Sequence, residues 1–234
     1  MHTKALYSPN LQFASIHQQQ VSFIHPTEKH MNPDQRKNLL ASADAVGDHL
    51  THAWNYYATL RALQRHARER LDVLNYYPHF VATITYSIWD DLFNKLYHCV
   101  DNRKEAMGFP KLFKQVRTYL ASDENLMSQI GQDETKIKAG QTREKIVNWR
   151  HQVVAHYTIK DNESFVTFYK DNVCSLNEIK NLISEYQKIL NYYGKELLNI
   201  VFMVKDLGTH AHSGVDQIIK AMIIGAEQDR TKDG

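Results

Sequence analysis

Eight apolar residues between Leu39 and Leu63 constrain the fold more than anything else in the chain. Leu39, Val46, Leu50, Ala53, Trp54, Tyr57, Leu60 and Leu63 recur at spacings of mostly three and four, which lines them up on one side of an α-helix. Asn32-Pro33 reads as its start, with Asn as N-cap and Pro at the first helical position. The helix is expected to run to about residue 74. Gly47 inside it costs about 1 kcal/mol relative to alanine. Nine Gly and five Pro in 234 residues are few, a scarcity that suits long helices rather than a loop-rich β protein.

The helical rhythm continues down the chain. Pro78 opens a second helix to about Val100, in which Phe80, Val81, Ile84, Ile88, Trp89, Leu92, Phe93, Leu96 and Val100 surround much of the circumference. So apolar a helix is expected at the centre of a bundle. Gly108-Phe109-Pro110 starts a third, to about Leu120. Residues 121–139 are polar and read as a loop with a short helix. Thr142 is the expected cap of a helix over residues 142–157. Next, β-branched and aromatic runs flank Asp161-Asn162 between Tyr157 and Phe168, the pattern of a small β-hairpin; a plain loop is the alternative. Ser175-Leu176-Asn177-Glu178 is a capping box. It opens a long helix with a stripe from Leu176 through Ile200 to Val204, ended by Gly208. A last helix follows Ser213. The fold class is all-α, an up-and-down bundle of four to five main helices. Residues 32–226 are read as a single helical domain, 1–31 as an irregular arm and 227–234 as a disordered tail.

The net charge of +2 and pI of about 8.4 are too mild to announce a nucleic-acid-binding surface, so local clusters matter more than the sum. One cluster is Arg61, Arg65, Arg68 and Arg70, read either as an exposed helix face or as a track for an RNA backbone. Cys99 and Cys174 form no CxxC pair and no disulfide framework; Cys99 lies in an apolar run and is expected to be a buried thiol. No stretch reaches 18 apolar residues and the N-terminus lacks a secretory core. The expectation is a cytoplasmic protein with no membrane partner. The absence of a glycine-rich phosphate loop argues against a P-loop NTPase. His210 and His212 lack the cysteines or HExxH pattern that would complete a zinc set and read as a loop preceding a helix. No metal and no other cofactor is expected.

The chemistry concentrates in Trp149-Arg150-His151-Gln152-Val153-Val154-Ala155-His156-Tyr157. Arginine is a permanent planar cation that can grip a phosphate, and histidine moves protons near neutral pH. Spacing alone proves little. Ten Arg and 13 His give about 1.7 chance pairs with four to six residues between them, and Arg61 to His66 is a second such pair. That pair lies in a charged run and reads as a solvated helix face, whereas Arg150 has the apolar neighbours Ile146, Val147, Val153 and Val154. On an α-helix the offset of six residues turns Arg150 and His156 about 120° apart and about 9 Å along the axis. They do not stack as an i, i+4 pair.

Arg150-His151-Gln152-Val153-Val154-Ala155-His156 resembles the signature of the HEPN superfamily (higher eukaryote and prokaryote nucleotide-binding): an arginine, then usually Asn, Asp or His, a few residues more, and a histidine. The Val-Ala-His ending and the upstream Trp89-Asp90-Asp91-Leu92-Phe93 are similar to its abortive-infection, AbiU-like branch. The resemblance implies Arg150 and His156 as catalytic residues of a metal-independent endoribonuclease of toxin or antiphage type, cutting RNA to a 2′,3′-cyclic phosphate and a 5′-hydroxyl. His151 is the candidate for extra phosphate contact or helix pairing. Asp90 and Asp91 interrupt an apolar helix, where a carboxylate wants a partner. They read either as a structural ion pair or as groups orienting the catalytic Arg or His, with Asp91 as the supporting candidate.

One chain offers one good proton carrier at this motif. In-line cleavage at a 2′-hydroxyl wants a base, an acid and cations on the developing charge. The resemblance implies a homodimer that brings two motifs together at a two-fold axis. It implies RNA as substrate and an antitoxin protein as a further candidate partner. Two rival readings remain: a non-catalytic nucleotide- or RNA-binding HEPN module, and a helical interaction protein whose aromatic faces, including Tyr192 and Tyr193, bind a partner.

Overall fold

The structure is a computed structural model that describes residues 18–20, 31–155, 168, 170–203 and 208–232. Helix α1, Pro33–Glu69, is its spine. Asn32 caps it as the sequence requires: its side chain accepts from the Gln35 N–H at 2.9 Å, and the Gln35 side chain accepts from the Asn32 N–H at 3.0 Å. The helix breaks at Arg70, and a short α2 (Leu71–Tyr76) leads into α3 (Pro78–Val100). Then come α4 (Phe109–Tyr119), α5 (Glu124–Lys138), α6 (Gln141–Trp149), α7 (Leu176–Tyr193) and α8 (Gly208–Lys232). Wide π-helical turns extend α6 over Arg150–Ala155 and α7 over Gly194–Leu198. Among the described residues the one sheet is a pair of three-residue strands, β1 (Gln18–Gln20) antiparallel to β2 (Ile200–Phe202), with Gln18 opposite Phe202.

The architecture is an all-α bundle in which α1 packs against α3, α4, α7 and α8. Leu39, Val46 and Leu50 of α1 meet Leu92, Phe93 and Leu96 of α3, Leu112 and Phe113 of α4, and Ile183, Tyr186 and Leu190 of α7, all at most 1% exposed. Burying such side chains contributes about 1.5–3 kcal/mol each. A second cluster, with Ala62, Val73, Leu74, Val215, Ile219 and Met222, joins the end of α1 to α2 and α8. Cys99 is fully buried, as expected, and burial pushes its thiol far up.

Several elements differ from expectation. Residues 121–139 hold a full helix, α5. Asp123 caps it by accepting from the Leu126 N–H at 2.9 Å, and Leu126, Ile130 and Ile137 are buried at spacings of four and seven. Its Asp133 is 2% exposed and compensated by the Tyr193 hydroxyl (3.0 Å), Gln129 (3.0 Å) and Lys136 (3.1 Å). The long helix from Leu176 does not reach Gly208. Past Tyr193 it widens into the π turn and stops at Asn199, whose φ of +58° is left-handed. Gly194 permits this closure: a Cβ there would lie 2.7 Å from the Ile200 carbonyl oxygen. The last helix begins at Gly208, so His210 and His212 lie on it rather than in a loop, and it continues to Lys232 through the expected tail. Ala226, Glu227 and Gln228 are favourable helix formers and Ala226 is buried. The expected hairpin falls, apart from Phe168, outside the described residues.

The largest difference concerns α3. It is not enclosed along its length: its buried residues are Leu92, Phe93, Leu96, Cys99 and Val100, and none lies between Pro78 and Asp91. Phe80 is 49% exposed, next in space along the chain to Tyr76 at 39% and Leu71 at 57%. The sequence makes this helix apolar nearly all round; among the described residues its second half is buried, while its first half is partly covered, by Val81 on the second cluster and by Tyr86, Ile88 and Trp89 on the main core.

Candidate functional site

The motif begins where α6 changes geometry. Gly140, at φ +118°, turns the chain into α6 without a side-chain cap, so Thr142 is not the cap. The helix keeps α geometry up to Trp149. The Arg150 N–H is then shared between the carbonyls of Ile146 and Val147, and the backbone opens into the π turn. Such turns close i→i+5 rings and are frequent at functional sites. The wider turn also means that the angle of about 120° derived for a regular helix does not carry over. His156 follows directly in sequence and lies outside the described residues.

Trp149 anchors the turn. Its side chain is 1% exposed and packs on Phe93, Tyr86 and Phe168 at ring separations of 5.2, 6.0 and 5.8 Å. Its indole N–H donates to Asp90 Oδ1 at 2.7 Å. Burial lifts the Asp90 carboxyl above its ordinary range, and Asp91 lifts it further, while the indole bond works against both. Asp90 is therefore the carboxylate that touches the motif helix. Asp91, the supporting candidate from sequence, is exposed and hydrogen-bonds Tyr56 of α1.

Arg150 is half-buried. Its Cζ lies 5.7 Å from the centre of the Tyr97 ring, within cation–π range. Its Nε is buried and has no hydrogen-bond partner among the described residues. His151 is exposed and meets the same Tyr97 ring edge-on at 5.8 Å. It also lines a cavity of about 360 Å³ with Asp101, Phe113, Glu134 and Arg143. Tyr97 thus braces both motif residues that the structure describes.

Beyond Tyr97 stand residues that motif reading misses. His98 stacks on His49 of α1 at 5.2 Å, and its Nδ1 lies 4.0 Å from Asp101 Oδ2. Burial lowers the His98 imidazole, Lys95, Arg150 and Arg103 lower it further, and Asp101 opposes them. Burial lowers His49 to about 4, helped by the charges of His98, Lys95 and His52. His52 is lowered too, chiefly by burial. Lowered in this way, these imidazoles stay neutral at neutral pH and are weak bases there. The signal for them was present: Asp91, Asn94, Lys95 and His98 form a polar stripe at helical spacing on an otherwise apolar α3, facing a similar stripe, Asp48, His49, His52 and Tyr56, on α1. Among the described residues no group of three or more His, Cys, Asp or Glu is placed to hold a metal ion, and no helix is long and apolar enough to cross a membrane.

The second Arg–His pair is built differently. His66 Nε2 lies 2.7 Å and Arg65 Nη2 2.8 Å from Asp216 Oδ1 of α8, and Arg61 donates to the Tyr57 hydroxyl at 3.3 Å. His66 is not simply solvated: its side chain is 14% exposed and fastens α1 to α8.

The family model for AbiU2, an HEPN group, matches residues 36–218, from the first turn of α1 into α8, with the whole motif inside. No curated protein and no solved structure matches the chain.

Proposed function

The chain belongs to the AbiU2 family of HEPN proteins, and on that footing we propose that it is a metal-independent endoribonuclease acting in abortive infection or as a toxin. The observation that carries the reading is the Arg150 guanidinium: half-buried over Tyr97, with a buried Nε that no described residue satisfies. A buried charged donor without a partner is costly, and a phosphate oxygen is the acceptor that a guanidinium fits best. In the proposed reaction the RNA 2′-hydroxyl attacks the adjacent phosphorus, its proton passes to one His156, and the 5′-oxygen leaves with a proton from a second. Two Arg150 side chains hold the charge on the phosphorane. The products are a 2′,3′-cyclic phosphate and a 5′-hydroxyl.

Two copies are required because each motif brings one His156. The partly exposed first half of α3 supports a homodimer. It carries Phe80 exposed, and it contacts the motif helix through Tyr86 and Asp90. A self-complementary interface there closes about a two-fold axis. His151 and Asp90 act as positioning residues, through Tyr97 and Trp149 respectively. The test is cleavage of labelled RNA by pure protein in EDTA. Cleavage that survives chelation and yields cyclic ends upholds the reading. Activity lost in EDTA and restored by Mg²⁺ rejects the mechanism, and RNA binding without cleavage assigns the chain to the non-catalytic HEPN modules.

A further inference from the structure

A cleft of about 860 Å³ runs between the second half of α1 and the first turn of α7. Arg61, Arg65 and Arg68 line one wall, at i, i+4 and i+7 on one face of α1, and Lys180 lines the other. Arg65 is engaged by Asp216, and Glu69 is the acidic member of the lining. Among the described residues Arg61, Arg68 and Lys180 have no carboxylate partner. Trp54, half-buried and packed on Tyr57 at 5.0 Å, contributes an aromatic surface at the same cleft.

We infer that this cleft is an exosite for the backbone of single-stranded RNA, separate from the Arg150 site; the inference rests on the ribonuclease reading above. A basic track beside an aromatic platform is how proteins hold single strands without reading their sequence: cations follow the phosphates and a base stacks on the ring. An acidic peptide would use the cations but leave Trp54 unexplained. A duplex, its bases already stacked, would do the same. The cleft is not an extension of the Arg150 pocket. His49, whose ring stacks on the His98 beside Arg150, lies twelve residues before Arg61. That separation is about 18 Å along α1 and about 120° around it. At 3.4 Å per nucleotide of a helical strand, about five nucleotides separate His49 from Arg61, the first cation of the track, so only an RNA longer than that reaches from the His98–His49 pair to the track.

The experiment measures RNA binding by fluorescence anisotropy in the His156→Ala background, where the RNA stays whole, with Arg61→Gln, Arg68→Gln and Lys180→Gln combined. The expected result is at least a tenfold weaker affinity for a 20-nucleotide single strand. The slope of log affinity against log salt shrinks by about 2, the value for three lost phosphate contacts on a single strand. Binding of a 4-nucleotide RNA, which fits one site, stays unchanged. Lys180→Gln alone, at an exposed position, gives a partial effect and guards against misfolding of the triple variant. Trp54→Ala weakens the single strand several-fold and leaves a duplex of the same length unaffected. Unchanged 20-nucleotide affinity overturns the exosite, as does an equal loss for the 4-nucleotide RNA, or a poly-glutamate peptide that competes as well as RNA. Because the readout is binding, a protein that never cleaves RNA but shows this length dependence keeps the exosite and loses only the ribonuclease reading.

Discussion

Two arginine–histidine pairs of similar spacing sit in this chain, and their surroundings differ in kind. At Arg61–His66, Asp216 takes His66 Nε2 and Arg65 together and joins two helices, while His66 Nδ1 stays buried with no hydrogen-bond partner among the described residues. At Arg150, the backbone widens, the guanidinium keeps a buried donor that no described residue satisfies, and burial lowers the nearby His98 imidazole. Structural polar groups find partners within the fold. Both pairs keep one buried nitrogen without a partner among the described residues, so what separates them is the carboxylate: Asp216 engages His66, and no described carboxylate engages Arg150.

The sharpest attempt to break this contrast is His156→Ala, which should lower single-turnover RNA cleavage by roughly two to four orders of magnitude. Arg150→Ala should do comparable damage through lost charge stabilisation. Both are to be measured beside thermal melting, and normal cutting by a folded His156→Ala protein would end the assignment to this motif. Next in size is Phe80→Glu on the partly exposed first half of α3. It should weaken the dimer by roughly thirtyfold or more, the scale of an interface hot spot, and cut the rate at nanomolar enzyme with no loss of monomer stability. Light scattering that shows the same mass for variant and wild type would contradict it.

The imidazoles beside Arg150 give a pH signature. Folded His49 titrates at about 4 against an ordinary 6.5, so between those values the unfolded chain binds more protons. Its stabilisation is complete above about pH 6.5 and is lost as the pH falls through 4. The loss is about 2 kcal/mol once partial exposure is discounted. Urea unfolding of wild type and His49→Gln at pH 7 and pH 4.5 checks this, the variant being expected to show the shallower decline. The smallest effect belongs to the decoy. His66→Ala should cost about 1 kcal/mol, a melting shift of about 2–4 °C, with cleavage within a few-fold of wild type. A large rate loss there would erase the distinction between the pairs.

Local signals were legible because they are local. The Asn32-Pro33 start, the Ser175 capping box and the start of α3 at Pro78 each follow from a few adjacent residues. The motif was legible through its resemblance to a family. What escaped depends on partners distant in sequence. The polar α5 reads as loop until Tyr193, 60 residues on, is seen to satisfy its buried Asp133. The end of α7 is decided by the close approach of Ile200 and Phe202 to Gly194. Periodicity showed that α3 is apolar on most sides but not that, among the described residues, only its second half is fully buried. Which of Asp90 and Asp91 meets the motif helix, and that His98 stands near Arg150, could not be read before Trp149 and Tyr97 were placed.

Trp149 has one more consequence. It is gripped by Tyr86, Asp90 and Phe93, all on α3, and it immediately precedes Arg150. The surface on which a second copy would dock and the residue that would hold the phosphate are thus mechanically joined through one indole ring. If docking repositions α3, it changes the affinity for RNA, and thermodynamic reciprocity then obliges RNA to change the affinity of docking by the same factor. Under the proposed ribonuclease reading, assembly and substrate occupancy act as a single equilibrium, silent at dilution and switched on by the appearance of RNA.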